Sequence, residues 1–137
     1  MIRLPKSLLP WFCLMIVCVM VGLVGCNHGP ATAFVTGKVT FDGKPLAKAT
    51  LEFNPESGER SSFGYTKEDG TFELKFSAAT IGAVPGLHRV IIRTAPSEVD
   101  PSETMPKEIL PAKYNAKSEL TQTLKNGKQV INFDLTP

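Results

Sequence analysis

Residues 34–53 constrain the fold more than any other stretch, because they alternate apolar and polar side chains on both sides of a tight turn. Successive side chains of a β-strand point to opposite faces, so this pattern predicts two strands that share one apolar face. The turn is Asp42-Gly43, since glycine adopts positive φ without penalty, and Pro45 belongs to the connection because it has no N–H to donate. The apolar positions are Val35, Gly37, Val39 and Phe41 before the turn and Ala49, Leu51 and Phe53 after it. Such a hairpin must cover its apolar face, which indicates a second sheet.

More short strands follow along the chain, separated by turn-forming dipeptides. Asp69-Gly70 predicts the turn of a second hairpin, and Asn126-Gly127 predicts a turn before the last strand. No stretch after residue 34 shows a convincing helical period. Six or seven short strands of this kind are typical of an antiparallel β-sandwich, so we expect an all-β fold. The further predicted strands are residues 62–66, 71–76, 87–94, 120–124 and 129–135.

Residues 95–120 form the longest stretch without a clear period. They contain four prolines, which exclude a long helix and a central strand because proline lacks an N–H. A loop of this length inside a compact domain is usually functional or disordered. We therefore expect this loop to provide the contact surface for a partner. The prolines are Pro96, Pro101, Pro106 and Pro111.

The N-terminus has the features of an export signal. Arg3 and Lys6 form a basic head, and residues 11–24 form an apolar run that contains two cysteines. A membrane-spanning helix needs about 20 apolar residues, and this run is shorter. The pattern therefore predicts a cleaved signal over residues 1–25, with an uncleaved membrane anchor as the alternative.

The end of the apolar run, Leu23-Val24-Gly25-Cys26, resembles the lipobox of bacterial lipoproteins. In that family the signal is cut just before the cysteine, its sulfur is diacylated, and the new amino group usually carries a further acyl chain such as palmitate. The resemblance implies lipid attachment at Cys26, a tether over residues 26–33 and a folded domain over residues 34–137. Two or three acyl chains, at about 0.8 kcal/mol per buried methylene, hold a small domain on a membrane. The implied location is the cell envelope, on the outer side of the inner membrane or on the outer membrane.

Charge and cysteine content narrow the function classes. Residues 1–25 hold two basic and no acidic side chains, so residues 26–137 hold 13 basic and 13 acidic ones and no formal net charge. Nucleic-acid binding favours a basic stripe, which makes a nucleic-acid partner unexpected. Cys26 is the only cysteine after the signal, so we expect no disulfide, and stability must come from sheet packing.

Three motifs along the domain resemble those of the carboxypeptidase regulatory-like domain. They are Gly-Lys-Val-Thr-Phe-Asp-Gly-Lys-Pro-Leu within residues 35–53, Thr-Lys-Glu-Asp-Gly-Thr-Phe within residues 66–74, and Pro-Gly-Leu-His-Arg-Val within residues 85–92. The resemblance implies a transthyretin-like, seven-stranded, antiparallel Greek-key β-sandwich. His88 departs from the pattern, which often has tyrosine there, either loosening the packing or pointing outward. These motifs mark turns and core positions, so they specify fold rather than function.

The residues predict no enzyme, cofactor or metal site. No serine lies in a Gly-x-Ser-x-Gly elbow, and no glycine-rich phosphate loop precedes a helix. Lys67-Glu68-Asp69-Gly70 reads as a hairpin turn, because a calcium loop needs more spaced oxygen ligands. His28 and His88 lie far apart in the sequence, whereas zinc usually takes three or four protein ligands.

We therefore predict a membrane-anchored, non-catalytic binding or structural module of the cell envelope, with an envelope protein or a glycan as its partner. The alternative is a carbohydrate-binding module of similar fold, which would stack sugars on exposed aromatic rings such as Tyr65 or Tyr114. Tyr114 is more consistent with a side chain that fastens the long loop to the sandwich. Most aromatic side chains are expected on inner faces, where they serve the core. These are Phe34, Phe41, Phe53, Phe72, Phe76 and Phe133.

Overall fold

The computed structural model describes residues 31–95 and 107–137. The predicted signal, Cys26 and the first three prolines of the long loop lie outside these residues. The described chain forms nine strands in two sheets, which confirms the predicted all-β sandwich. Among the described residues, no helix has the length and apolar character that crossing a membrane requires. The strands are β1 Ala33–Phe41, β2 Lys44–Pro45, β3 Thr50–Pro55, β4 Ser62–Tyr65, β5 Thr71–Glu73, β6 Gly86–Arg93, β7 Thr121–Leu124, β8 Gly127–Val130 and β9 Phe133–Leu135.

The first sheet is built around β1. The two strands β2 and β5 pair antiparallel with β1, and the hydrogen bonds of Val39 to Gly70 and Leu46 place them on the same edge. On the opposite edge β8 and β9 run parallel to β1, one after the other. The first sheet is therefore mixed, and not antiparallel throughout as predicted, because the chain crosses from β7 in the second sheet and returns alongside β1.

A break between β8 and β9 requires a glycine on β1. Within the break, the Ile131 N–H donates to the Thr36 carbonyl at 2.9 Å, and the Asn132 side-chain oxygen accepts the Lys38 N–H at 2.9 Å. The backbone of Ile131 comes so close that a Cβ on Gly37 would lie 1.7 Å from its carbonyl oxygen. Only glycine fits this approach, which gives a physical reason for Gly37 in the middle of a strand.

The second sheet has the order β4-β3-β6-β7 and is antiparallel throughout. Its central pair, β3 and β6, keeps register from Thr50 opposite Arg93 to Pro55 opposite His88. Leu51 and Phe53 face inward, as the alternation predicts, and neither is exposed. Burying each such side chain contributes about 1.5–3 kcal/mol.

The core lies between the sheets, and one of the phenylalanine assignments requires comment. Phe53 and Phe72 are buried, and Phe41 and Phe133 pack partly buried against the core. Phe34 is 42% exposed, so its predicted inner position is wrong. Because Val35 occupies the inner face, the same alternation places Phe34 on the outer face.

His88 points inward from β6 and is completely buried. Its Nε2–H donates to the Val84 carbonyl at 2.8 Å, and its ring lies 6.0 Å from that of Phe53. Its Nδ1 has no hydrogen-bond partner within the described residues. The expectation that the side chain of His88 points outward is therefore wrong, and the imidazole occupies a core position.

Candidate functional site

The described part of the long loop, residues 107–120, folds back along β6, and we call it the strap. Its end pairs with β6, because the Val90 N–H donates to the Leu120 carbonyl at 2.8 Å and the Ser118 hydroxyl donates to the Val90 carbonyl at 2.5 Å. A 3-10 turn over Ala112–Tyr114 shapes its middle. The strap is thus attached to an edge of the second sheet.

The carboxylate of Glu108 fastens the start of the strap to the end of β6. Its Oε1 accepts the Thr94 hydroxyl at 2.7 Å and the Leu110 N–H at 2.9 Å. Its Oε2 accepts the N–H groups of Thr94 at 3.1 Å and of Ala95 at 3.3 Å. The Thr94 hydroxyl in turn accepts the Ile109 N–H at 3.1 Å. One side chain therefore joins two segments that are 14 residues apart.

These hydrogen bonds set the ionisation of Glu108. Partial burial is the largest single influence on the pKa of its carboxyl group and raises it. Hydrogen bonds from Leu110, Thr94 and Ala95 favour the charged form and together outweigh burial, so the pKa lies below its ordinary value. The strap is consequently held by an ionised carboxylate at neutral pH.

Two apolar side chains fix the middle of the strap. Leu110 and Tyr114 are buried in the core, which confirms that Tyr114 fastens the loop rather than presenting an open aromatic face. The Tyr114 hydroxyl oxygen accepts the Thr136 N–H at 3.0 Å. Hydrogen bonds with Thr136 are the main reason that the pKa of this phenol lies below its ordinary value, and the nearby Lys113 ammonium, 5.0 Å from the ring centroid, contributes to the lowering.

A polar groove of about 480 Å³ lies between the strap and the outer face of β6. Its walls combine a guanidinium, an ammonium, a carboxylate, an amide and a hydroxyl group, so they offer donors and acceptors of both charges. The lining residues are Arg89, Ile91, Asn115, Ala116, Lys117, Ser118 and Glu119.

The outer face of the second sheet also presents an exposed aromatic side chain, Tyr65, which is 66% exposed. It lies opposite Thr50, which pairs on its other side with Arg93. In the next row Phe63, 36% exposed, lies opposite Glu52. An open ring beside hydroxyl, guanidinium and carboxylate groups is a surface on which a sugar ring can stack and form hydrogen bonds.

The outer face of the first sheet carries a different surface. Phe34, Ile81 and Val130 are exposed there and line one groove of about 620 Å³ together with Lys128. The parallel register between β1 and β8 creates this surface, because it places Lys128 opposite Phe34 and Val130 opposite Thr36.

Lys67-Glu68-Asp69-Gly70 forms the predicted turn, in which the Gly70 N–H donates to the Lys67 carbonyl at 2.9 Å. No group of three or more histidine, cysteine, aspartate or glutamate side chains within residues 31–95 and 107–137 is arranged to hold a metal ion. Asp69 serves its own turn, because its Oδ1 accepts the Thr71 hydroxyl at 2.7 Å and the Thr71 N–H at 3.0 Å. The hydroxyl bond, followed by the N–H bond, lowers the pKa of the Asp69 carboxyl.

Comparisons with known proteins found solved structures of limited similarity. No protein-family model matches the chain, and no curated protein matches it. The chain is similar to the crystal structure of a DUF3823 family protein from Parabacteroides merdae, with 18% identity over 77% of this chain and a TM-score of 0.43. It is also similar to a 9R-lipoxygenase from Cyanothece, with 17% identity over 90% of this chain and a TM-score of 0.32. The chain spans less than half of each neighbour, 46% of the first and 19% of the second.

Sequence reasoning identified part of these surfaces. It selected the long loop and Tyr65, but it gave no role to Glu108 or to the Phe34 surface. The signal for Phe34 was present in the alternation with Val35. No local pattern pointed to Glu108, because Thr94 and Ala95, the partners through which it joins the strap to β6, lie 14 and 13 residues earlier in the chain.

Proposed function

We propose that this protein is a non-catalytic binding module of the bacterial cell envelope, anchored by lipid on Cys26 and built on a carboxypeptidase regulatory-like sandwich. The sequence Leu23-Val24-Gly25-Cys26 supports the anchor, and the turn and core motifs support the domain type. The partner we propose is an envelope protein that contacts the strap and the polar groove beside it.

The observation that carries the binding role is the anchoring of the strap. Its root is fixed by the Glu108 carboxylate, and its middle by Leu110 and Tyr114 in the core. Lys117 and Glu119 lie between Tyr114 and β7, and both side chains are exposed on this fixed segment of the strap. A surface ordered before binding loses little conformational entropy on association, which favours recognition.

Crosslinking in the native cells tests this proposal. We expect Lys113 and Lys117 to crosslink reproducibly to one envelope protein, and Cys26→Ser to abolish those crosslinks by releasing the domain from the membrane. Lys44 in β2 provides a matched control, because it is exposed on the other sheet. Crosslinks to the same protein from Lys44 as from Lys117, or none from the strap, would contradict the proposed contact surface.

The anchor has its own test. Mass spectrometry of the mature protein should show a chain that begins at Cys26 and carries acyl chains on that residue. A chain that retains residues 1–25, or an unmodified Cys26 in membrane fractions, would contradict the anchor.

Glycan binding is the second candidate, and the exposure of Tyr65 is the observation that favours it. We expect a glycan that binds through this ring to lose affinity in Tyr65→Ala, since aromatic pairs contribute about 0.5–1.5 kcal/mol beyond area burial. Lys44→Ala is the control, because it changes an exposed residue of the other sheet. Equal binding by both variants in a glycan screen, or no binding by the wild type, would argue against this candidate.

A further inference from the structure

The outer face of the first sheet is apolar at the end where β1 begins. Phe34 is 42% exposed, Ile81 47% and Val130 72%. They line one groove, whose single acidic lining residue is Glu73. Three large apolar side chains clustered at the surface mark a contact site more often than scattered ones do. We call Phe34, Ile81 and Val130 the apolar patch.

The apolar patch lies close to the predicted lipid attachment point. Ala31, where the described chain starts, lies five positions after Cys26, and a fully extended chain spans at most about 3.6 Å per residue, or about 18 Å in all. Phe34 follows three residues later, about 10 Å further at the rise of a β-strand. A lipid on Cys26 therefore keeps the patch within about 30 Å of the bilayer, whichever way the tether runs.

Two lysines accompany the apolar patch at the end of the sheet near the tether. Lys128 lies opposite Phe34, and Lys125 follows β7 in the turn that contacts Thr32, because the Gly127 N–H donates to the Thr32 carbonyl at 2.9 Å. At the other end of β1, Asp134 accepts the Thr40 hydroxyl. The end near the tether thus carries two lysines beside the apolar patch, with Glu73 as the acidic residue of its groove, whereas the far end carries both signs of charge, because Lys38 and Lys44 lie there as well as Asp134.

We propose that the apolar patch, with Lys125 and Lys128, lies on the anionic phospholipid surface of the membrane that holds the lipid on Cys26. This inference rests on the proposed anchor and adds an orientation to it. The apolar side chains enter the headgroup boundary, and the ammonium groups meet lipid phosphates. The far end of β1 and the opposite sheet, which carries Tyr65 and the strap, then face away from the membrane and remain accessible.

A second copy of the chain is the competing occupant, and the charges disfavour it. A two-fold symmetric contact through this surface brings the same patch of both copies together, which sets Lys125 and Lys128 of one copy near those of the other. An anionic bilayer has the complementary charge, so the observations favour the membrane.

The test uses the mature lipoprotein purified from membranes and reconstituted into vesicles, with or without phosphatidylglycerol in phosphatidylcholine. An environment-sensitive fluorophore is attached at Val130→Cys or, as a matched control on the opposite sheet, at Tyr65→Cys. With phosphatidylglycerol present, we expect the emission at position 130 to shift to shorter wavelength and to be quenched by lipid-borne nitroxide. The label at position 65 should remain quenched by aqueous iodide.

Charge reversal provides a second measurement. Each lysine near an anionic surface is expected to change the ratio of docked to undocked protein by about five-fold, so Lys125→Glu with Lys128→Glu should reduce it by about 25-fold or more. Lys117→Glu on the strap is the control and should leave the emission at position 130 unchanged. An equal loss of docking in Lys117→Glu would show that the apolar patch is not the surface that contacts the membrane.

The outcomes separate this inference from the anchor on which it rests. If the protein floats with the vesicles and carries acyl chains on Cys26, but the label at position 130 is exposed to water, the anchor is supported and the membrane contact of the apolar patch is refuted. An unacylated Cys26 without flotation overturns both. If the emission of the label at position 130 shifts equally in pure phosphatidylcholine and the shift grows with protein density, the apolar patch contacts a second copy of the chain and not the anionic membrane surface.

Discussion

Substitution of Glu108 by glutamine tests whether one carboxylate holds the strap. If the amide oxygen replaces Oε1, the hydrogen bonds from Leu110 and the Thr94 hydroxyl remain. The new NH₂ group then faces the N–H groups of Thr94 and Ala95, which lie 3.1 Å and 3.3 Å from Oε2. A lost hydrogen bond to a charged group costs about 1.5–3 kcal/mol, and partial exposure lets water compensate, so we expect a loss of about 1–2 kcal/mol.

Urea unfolding at neutral pH measures this loss, and hydrogen exchange of the Leu110 and Ala95 amides shows whether the strap opens first. Glu119→Gln is the matched control, because Glu119 lies exposed on the same strap. Equal stability of wild type and Glu108→Gln, or an equal loss in Glu119→Gln, would refute the reasoning.

The same substitution predicts a pH dependence. Because folding lowers the pKa of Glu108, its carboxylate contributes stability that is complete above the ordinary value of 4.5 and is lost as pH falls through the folded-state pKa. The stability difference between wild type and Glu108→Gln should therefore shrink on acidification. A difference that stays constant or widens in acid would show that the carboxylate charge is not the cause.

Three further substitutions test the packing in denaturation experiments. Gly37→Ala should cost about 3 kcal/mol or more, because its methyl group meets the backbone of Ile131, and a cost below 1 kcal/mol would contradict the close approach. Leu110→Ala should cost about 2–4 kcal/mol, whereas its neighbour Ile109, 55% exposed, should tolerate alanine with little change; similar costs would deny that the strap enters the core. Tyr114→Phe should cost about 0.5–1.5 kcal/mol through its lost hydroxyl, and an unchanged midpoint would show that water replaces that bond.

Much of the fold follows from short-range patterns. The alternation around Leu51 and Phe53 predicts their inner face, and the Asp42-Gly43 dipeptide predicts a turn, which forms with positive φ at both residues. These features are local, because a strand face and a two-residue turn depend on neighbours in the sequence. The same alternation places His88 on the inner face together with Val90, two residues later, although the imidazole is a polar group.

The strap was harder to predict for a physical reason. The four prolines exclude a long helix and a central strand over residues 95–120, but they do not indicate where an irregular segment attaches. The strap is attached because Glu108 accepts hydrogen bonds from backbone N–H groups at the end of β6. Almost every residue has such a group, so the sequence does not mark which ones Glu108 contacts. A half-buried carboxylate that accepts several N–H groups is therefore recognised only once the backbone is placed.

The apolar patch depends on a pairing that no local pattern encodes. Phe34 is opposite Lys128 because β8 returns parallel to β1, a register that joins residues 94 positions apart. That register holds only because Gly37 admits the backbone of Ile131 and Asn132 replaces a missing acceptor for β1. A side chain at position 37 would displace the break between β8 and β9, and with it the edge that carries Lys128 and Val130. The surface we assign to the membrane and the close approach that requires glycine at position 37 thus have the same cause, the return of the chain alongside β1.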